Sequence, residues 1–128
     1  MATFRLTWLT LGGAWATIII YLSLIPHPPQ PVNFQYSDYL EHALAYGLLM
    51  LWFCQIYQKQ AHRIRLALCL IALGVSMEFL QRMTGYRYFE YMDMLANSAG
   101  VLLGWALAKS GLGRVGAMLE IKLQSWIR

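Results

Sequence analysis

Ala96, Gly100, Gly104 and Ala108 recur every four residues within a charge-free run from Met94 to Ala108. At helical pitch this spacing stacks four small side chains on one face, the small-xxx-small pattern that lets two helix backbones approach closely in lipid. The run is entered through charge: Arg87, Glu90 and Asp93 lie within seven residues, and Asn97 follows one turn after Asp93. Ionisable and amide groups at the mouth of a tightly packed apolar helix are costly, and by default they mark a functional site.

The chain has 128 residues, which is room for one domain, read as residues 1–128. It is 59% hydrophobic and 12% charged, against roughly 25% charged in ordinary soluble domains. A soluble fold of this size could not cover so much apolar surface, so the lipid bilayer is the expected solvent. Cys54 and Cys69 form no CxxC and no zinc spacing, and both sit in apolar segments where small core residues are expected.

Leu6 to Ile25 is twenty residues without a charge, the length of one membrane crossing, with Trp8 and Tyr21 near its ends. The run is long for the apolar core of a signal peptide, and no A-x-A cleavage site follows, so it reads as a retained helix. All four prolines fall between Pro26 and Pro31, which makes this an extended outer loop. Asp38-Tyr39-Leu40-Glu41 has the D-x-x-E form of a capping box and opens a second helix. Lys59, His62, Arg63 and Arg65 read as a basic loop, and Thr84-Gly85-Tyr86 as a turn. After Ser110-Gly111-Leu112-Gly113, the tail places Val115, Met118, Leu119, Leu123 and Trp126 on one face, interrupted by Lys122. The expected fold is all-α: a four-transmembrane-helix bundle with helices at about 6–25, 38–57, 66–83 and 88–109, and a C-terminal interfacial amphipathic helix at 114–128.

Charge orients this bundle. Arg5, Lys59, Arg63, Arg65, Lys109, Arg114, Lys122 and Arg128 lie at one membrane side, and only Arg82 and Arg87 at the other. The positive-inside rule then puts both termini in the cytoplasm. The acids segregate the opposite way: Asp38, Glu41, Glu78, Glu90 and Asp93 are outside, and Glu120 alone is inside. The net charge of +4 is thus read as membrane orientation, and no nucleic-acid partner is expected.

Folding helices three and four about Gly85 and Tyr86 brings Glu78 and Asp93 to the same depth. Each lies about 7 Å inside its helix end at the α-helical rise. Gln81 accompanies Glu78, Asn97 accompanies Asp93, and the second helix supplies His42 with Tyr46 one turn deeper. Capping and the helix dipole explain Asp38 and Glu90, but not Glu78 near a helix C-terminus, nor Gln81, His42 or Asn97. The residue types leave three chemistries open. Divalent-cation binding lacks any HxxxH or HExxH arrangement, so neither metal nor cofactor is expected. Proton movement could use His42 and Glu78. Non-covalent recognition of a polar ligand could use Arg82 or Arg87 on an anionic group and the acids on hydroxyls or amines. No nucleophile stands beside His42, so covalent catalysis has the least support.

YLSLIP (Tyr21 to Pro26), the Asp38…His42…Tyr46 spacing followed by Trp52, EFLQ (Glu78 to Gln81), and R-x5-D-x3-N-x2-G (Arg87, Asp93, Asn97, Gly100) together resemble the VanZ-like family of small bacterial membrane proteins. The resemblance runs from about Tyr21 to Gly104. It implies a place in the bacterial cell envelope and, through the family's named member, a link to low-level resistance to the lipoglycopeptide teicoplanin. Many members carry Asp-Lys where this chain has Asp38-Tyr39, so a phosphate held by that lysine would need Arg82 or Arg87 here.

The resulting expectation is an inner-membrane protein with an outward-facing polar pocket of Asp38, His42, Tyr46, Glu78, Gln81, Arg82, Arg87, Asp93 and Asn97. Its leading partner is a lipid-linked or glycan ligand of the cell envelope, or a surface-acting antibiotic. The alternatives are an intramembrane acid–base enzyme on a lipid or glycan headgroup and a small proton-coupled transporter. A structural role as a homo-oligomer through the Ala96/Gly100/Gly104/Ala108 face also stands.

Overall fold

The computed structural model of the protein describes residues 4–25, 37–85 and 91–128, with backbone alone for residues 37 and 38. Five helices account for most of them: α1 (Arg5–Leu24), α2 (Ser37–Ile56), α3 (Gln60–Met83), α4 (Tyr91–Lys109) and α5 (Val115–Ile127), with a single 3₁₀ turn at Leu112–Arg114. No strand occurs among the described residues. The architecture is all-α.

The small residues of α4 decide the packing. A Cβ added at Gly100 would land on the Ala43 carbonyl oxygen, and one at Gly104 on the carbonyl oxygen of Gly47. Gly47 returns the contact, since a Cβ there would stand 2.9 Å from the Gly100 carbonyl oxygen. The α2 and α4 backbones therefore touch, as the small-xxx-small spacing allows. At Gly100 and Gly104 the face considered above for subunit contacts meets α2 of the same chain. Leu49, Met50, Cys54 and Val101, all fully buried, fill the rest of this seam.

α1 and α3 flank the central pair. Gly12 of α1 lies against Phe53 and Trp52, where a Cβ would come within 2.8 and 2.9 Å of their rings. Gly74 of α3 lies against Asn97 of α4 in the same way, at 3.1 Å.

The distribution of polarity is inverted relative to a soluble protein. Leu40, Leu44 and Leu48 on α2 and Met92, Leu95, Leu102, Leu103 and Leu107 on α4 are exposed. Glu78, Gln81, Asp93 and Asn97 are buried. α1 and α3 are each long and apolar enough to cross a membrane. α2 and α4 are not among the helices that reach that hydropathy, because they carry the inward-turned polar residues. Cys54 is in the core as expected, but Cys69 is exposed on the outer face of α3.

The end at which α2 stops and α3 starts is closed by polar side chains. α3 starts at Gln60 rather than at Leu66. The reason is Arg63, which turns inward and is buried instead of forming part of a loop. Its Nε donates to the Tyr57 carbonyl at 2.8 Å, and its Nη2 donates to the Cys54 carbonyl at 2.9 Å and to Gln58 Oε1 at 3.1 Å. A guanidinium thus satisfies carbonyls that the end of α2 leaves without an intrahelical partner. Gln55 Nε2 donates to the Leu112 carbonyl at 2.8 Å, Gln55 Oε1 accepts from the Gly116 amide at 2.9 Å, and Gln58 Nε2 donates to the Gly113 carbonyl at 2.8 Å. Gly111, at φ +93°, makes the left-handed turn that releases the chain from α4 into this lock.

α5 docks with its small and acidic side inward. Gly116 and Glu120 are its buried residues, and the Trp8 indole donates to Glu120 Oε1 at 2.9 Å. Trp8 in turn stacks on Trp52, with ring centroids 4.6 Å apart, and its carbonyl accepts from the Trp52 indole. Val115, Met118, Leu119, Leu123 and Trp126 all point away from the protein and are exposed. Lys122 does not interrupt the docking, because the docked face is a different one.

Candidate functional site

The polar cluster forms where the start of α2, the end of α3 and the start of α4 meet. His42 is the sixth residue of α2 and Asp93 the third of α4, so each is presented within two turns of a helix end. Close approach of α2 to α4 at Ala43 and Gly100 holds the two helices in register. His42 Nδ1 lies 3.0 Å from Asn97 Oδ1. An amide oxygen can only accept, so Nδ1 is the protonated nitrogen and donates. That fixes Nε2 toward Asp93, whose Oδ2 is 3.8 Å away. The imidazole is braced on one edge by an amide and faces a carboxylate on the other.

Tyr46 lies one turn deeper on α2 and is 2% exposed, with its hydroxyl buried and without a hydrogen-bond partner. The Glu78 carboxylate is 1% exposed. Glu78 stands one turn from Gly74 on α3, and Gly74 is the point at which α3 receives the Asn97 side chain. Gln81, 2% exposed, donates through Nε2 to the Ser23 carbonyl at 2.7 Å, joining the end of α3 to the end of α1. Its role is to tie two helices.

Of the nine expected site residues, the structure brings His42, Asp93 and Asn97 into direct contact and buries Tyr46, Glu78 and Gln81 around them. Arg82 is exposed at the end of α3. The Asp38 side chain and Arg87 lie outside the described residues. Trp52, from the same sequence spacing as His42 and Tyr46, belongs to the other end of the molecule with Trp8. One participant was not picked out in the sequence. Gly74 admits Asn97, and its only signal is that it shares a helical face with Glu78. Glu41 of α2, read as a cap, has a buried Oε1 without a hydrogen-bond partner.

The cluster is rich in acceptors and acids, and His42 brings a basic side chain into contact with it. Among the described residues, no three His, Cys, Asp or Glu side chains gather as a metal ion would need. What the arrangement supplies is a place where a proton or a ligand hydroxyl or ammonium group can sit between fixed acceptors.

Fold and site together define a small all-α protein with an apolar exterior and a buried polar cluster at one end. The chain belongs to the VanZ/LLP1 family, whose sequence profile matches residues 28–113. The match takes in all of α2, α3 and α4, and so every described residue of the cluster. The chain is also 32% identical over 94 residues to an uncharacterized protein of the fission yeast Schizosaccharomyces pombe. That alignment covers 71% of this chain and 53% of the relative, so the chain spans about half the length of the curated relative it matches. No solved structure matches it.

Proposed function

We propose that α1–α4 all cross the bacterial inner membrane, with both termini in the cytoplasm, and that the His42–Asp93–Asn97 cluster binds a polar headgroup at the outer surface without covalent chemistry. The observation that carries this reading is the burial of Glu78, Asp93, Asn97 and Tyr46 at one end of a body whose exposed faces are leucine-rich. Acids in such a setting are expensive and are retained where they meet a partner. The unpartnered Tyr46 hydroxyl supports a ligand with hydroxyl or amine donors.

The ligand class in this reading is a lipid or a lipid-linked sugar of the cell envelope. In this reading a glycopeptide-tolerance phenotype is a consequence of occupying or altering such an envelope lipid. Native mass spectrometry of the protein released from nanodiscs tests the proposal. The expected result is a co-purifying lipid that Glu78→Gln and Asp93→Asn lose, while the lipid-facing Leu44→Ala keeps it. Equal retention by all four proteins would overturn it.

One observation favours a second reading, an acid–base enzyme on the same headgroup. With Nδ1 turned to Asn97, Nε2 faces Asp93, a carboxylate–imidazole pair of the kind that exchanges protons with a ligand. Appearance of a headgroup-cleaved lipid on incubation with wild type and not with His42→Ala would move this reading ahead.

A further inference from the structure

A cavity with a strongly charged lining is at the other end of the molecule. About 400 Å³ in volume, it is lined by Gln58, Arg63, Ala108, Lys109, Gly111 and Arg114. Three of these six residues are cations and none is an acid. A neighbouring cavity of about 310 Å³, which shares Gln58, is lined by Arg5, Lys59 and His62 together with Ile56 and Tyr57, again with no carboxylate.

Arg63 is the informative member. It is 6% exposed, and its hydrogen bonds go to two backbone carbonyls and the Gln58 amide oxygen. All three acceptors are neutral. The partial negative charge at the end of α2 offsets some of the guanidinium charge, but among the described residues no carboxylate pairs with Arg63. A buried cation without a counter-ion is costly, and an anion in the adjoining cavity removes that cost. Lys109 is held at the cavity by Trp105, with its Nζ 4.7 Å from the ring centroid. Arg114 reaches the cavity from the 3₁₀ turn that Gln55 and Gln58 pin in place.

We propose that this cavity is a binding site for a phosphate group, with Arg63, Lys109 and Arg114 as its charges and the Gln58 amide among its polar walls. The site lies where α4 ends and α3 begins. In a membrane-spanning chain that is headgroup level, where basic pockets between helices hold anionic lipid headgroups. A phosphate ester free in solution carries the same chemistry, and the experiment separates the two. The site is independent of the His42 cluster, which lies at the opposite helix ends.

The test uses the full chain in detergent and two probes, phosphatidylglycerol and inorganic pyrophosphate, with binding read by native mass spectrometry. Lys109→Gln and Arg114→Gln replace exposed side chains, so folding is retained. Lys122→Gln, on α5 and away from the cavity, controls for general loss of charge. Binding by wild type, weakened roughly fivefold by either cavity substitution and unchanged by Lys122→Gln, supports the site. Phosphatidylglycerol binding without pyrophosphate binding assigns a lipid headgroup; pyrophosphate binding that displaces the lipid assigns a soluble phosphate ester. Binding of neither probe, or equal weakening by all three substitutions, overturns the proposal.

Discussion

His42 and Asn97 are fifty-five positions apart in the chain, and the 3.0 Å contact between their side chains joins the two central helices at their polar end. The contact exists because Gly100, one turn past Ala96 on the same face, lets α4 lie directly on the Ala43 backbone. The smallest residues of the chain thus position its most polar ones.

Gly100→Ala should therefore be disruptive although it adds a single methyl group. The new Cβ would meet the Ala43 carbonyl oxygen, a backbone atom that cannot rotate away. A cost of about 1–3 kcal/mol is expected from such overpacking. Gly13→Ala is the matched control, since a Cβ there meets nothing within 4 Å. It should be neutral or stabilise by about 0.5–1 kcal/mol through helix propensity. Reversible unfolding in mixed detergent micelles measures both.

Asn97→Ala leaves the His42 Nδ1 proton without its acceptor. Interhelical hydrogen bonds in membrane proteins contribute about 0.6 kcal/mol on average, and at most about 1.7. Unfolding free energy should fall by no more than that. Ligand retention should fall further, because the imidazole loses the amide that orients it. Loss of stability and ligand retention in equal proportion would reduce Asn97 to a packing residue.

At the other end, Trp8→Phe keeps an aromatic ring against Trp52 but deletes the indole proton that Glu120 accepts. α5 should open locally while α1–α4 remain protected. Amide hydrogen exchange is the measurement: faster exchange confined to residues 115–127 is expected. Glu120→Gln keeps an acceptor at the same place, so it should exchange like wild type.

How much of this was legible in the sequence depends on which forces set each feature. The helices were readable because apolar runs and Gly/Pro breaks are local signals, and the α2–α4 seam was foreshadowed by the four-residue spacing of Gly100 and Gly104. The partner of that seam was not, since spacing alone does not tell an internal helix from a second subunit. His42, Glu78, Asp93 and Asn97 stood out because a membrane setting makes each one expensive. Gly74 was silent, because a contact between Asn97 and α3 is a product of tertiary packing. The start of α3 was misplaced for a related reason. Arg63 looks like a loop cation in one dimension, and its burial follows only once the carbonyls at the end of α2 need a donor. The inward side of α5 was missed because Glu120 reads as a solvated charge until Trp8 is brought against it.

The final prediction concerns Glu78 and Asp93. Both are buried, on helices that meet at Gly74 and Asn97, and both are proposed to use their charge on a ligand. Glu78→Gln and Asp93→Asn preserve shape and replace a carboxylate by an amide. Each amide keeps the side-chain shape and an oxygen acceptor, so thermal stability in detergent should change less than ligand retention does. Hydrogen bonds to a charged group contribute about 1.5–3 kcal/mol, so removing either charge should weaken retention of the bound headgroup by about tenfold or more. The two changes should not add fully, because their side chains lie in one cluster and share neighbours. Measured side by side, retention should fall by more than stability in both variants. A variant that loses stability and keeps its lipid would show that the cluster serves the fold.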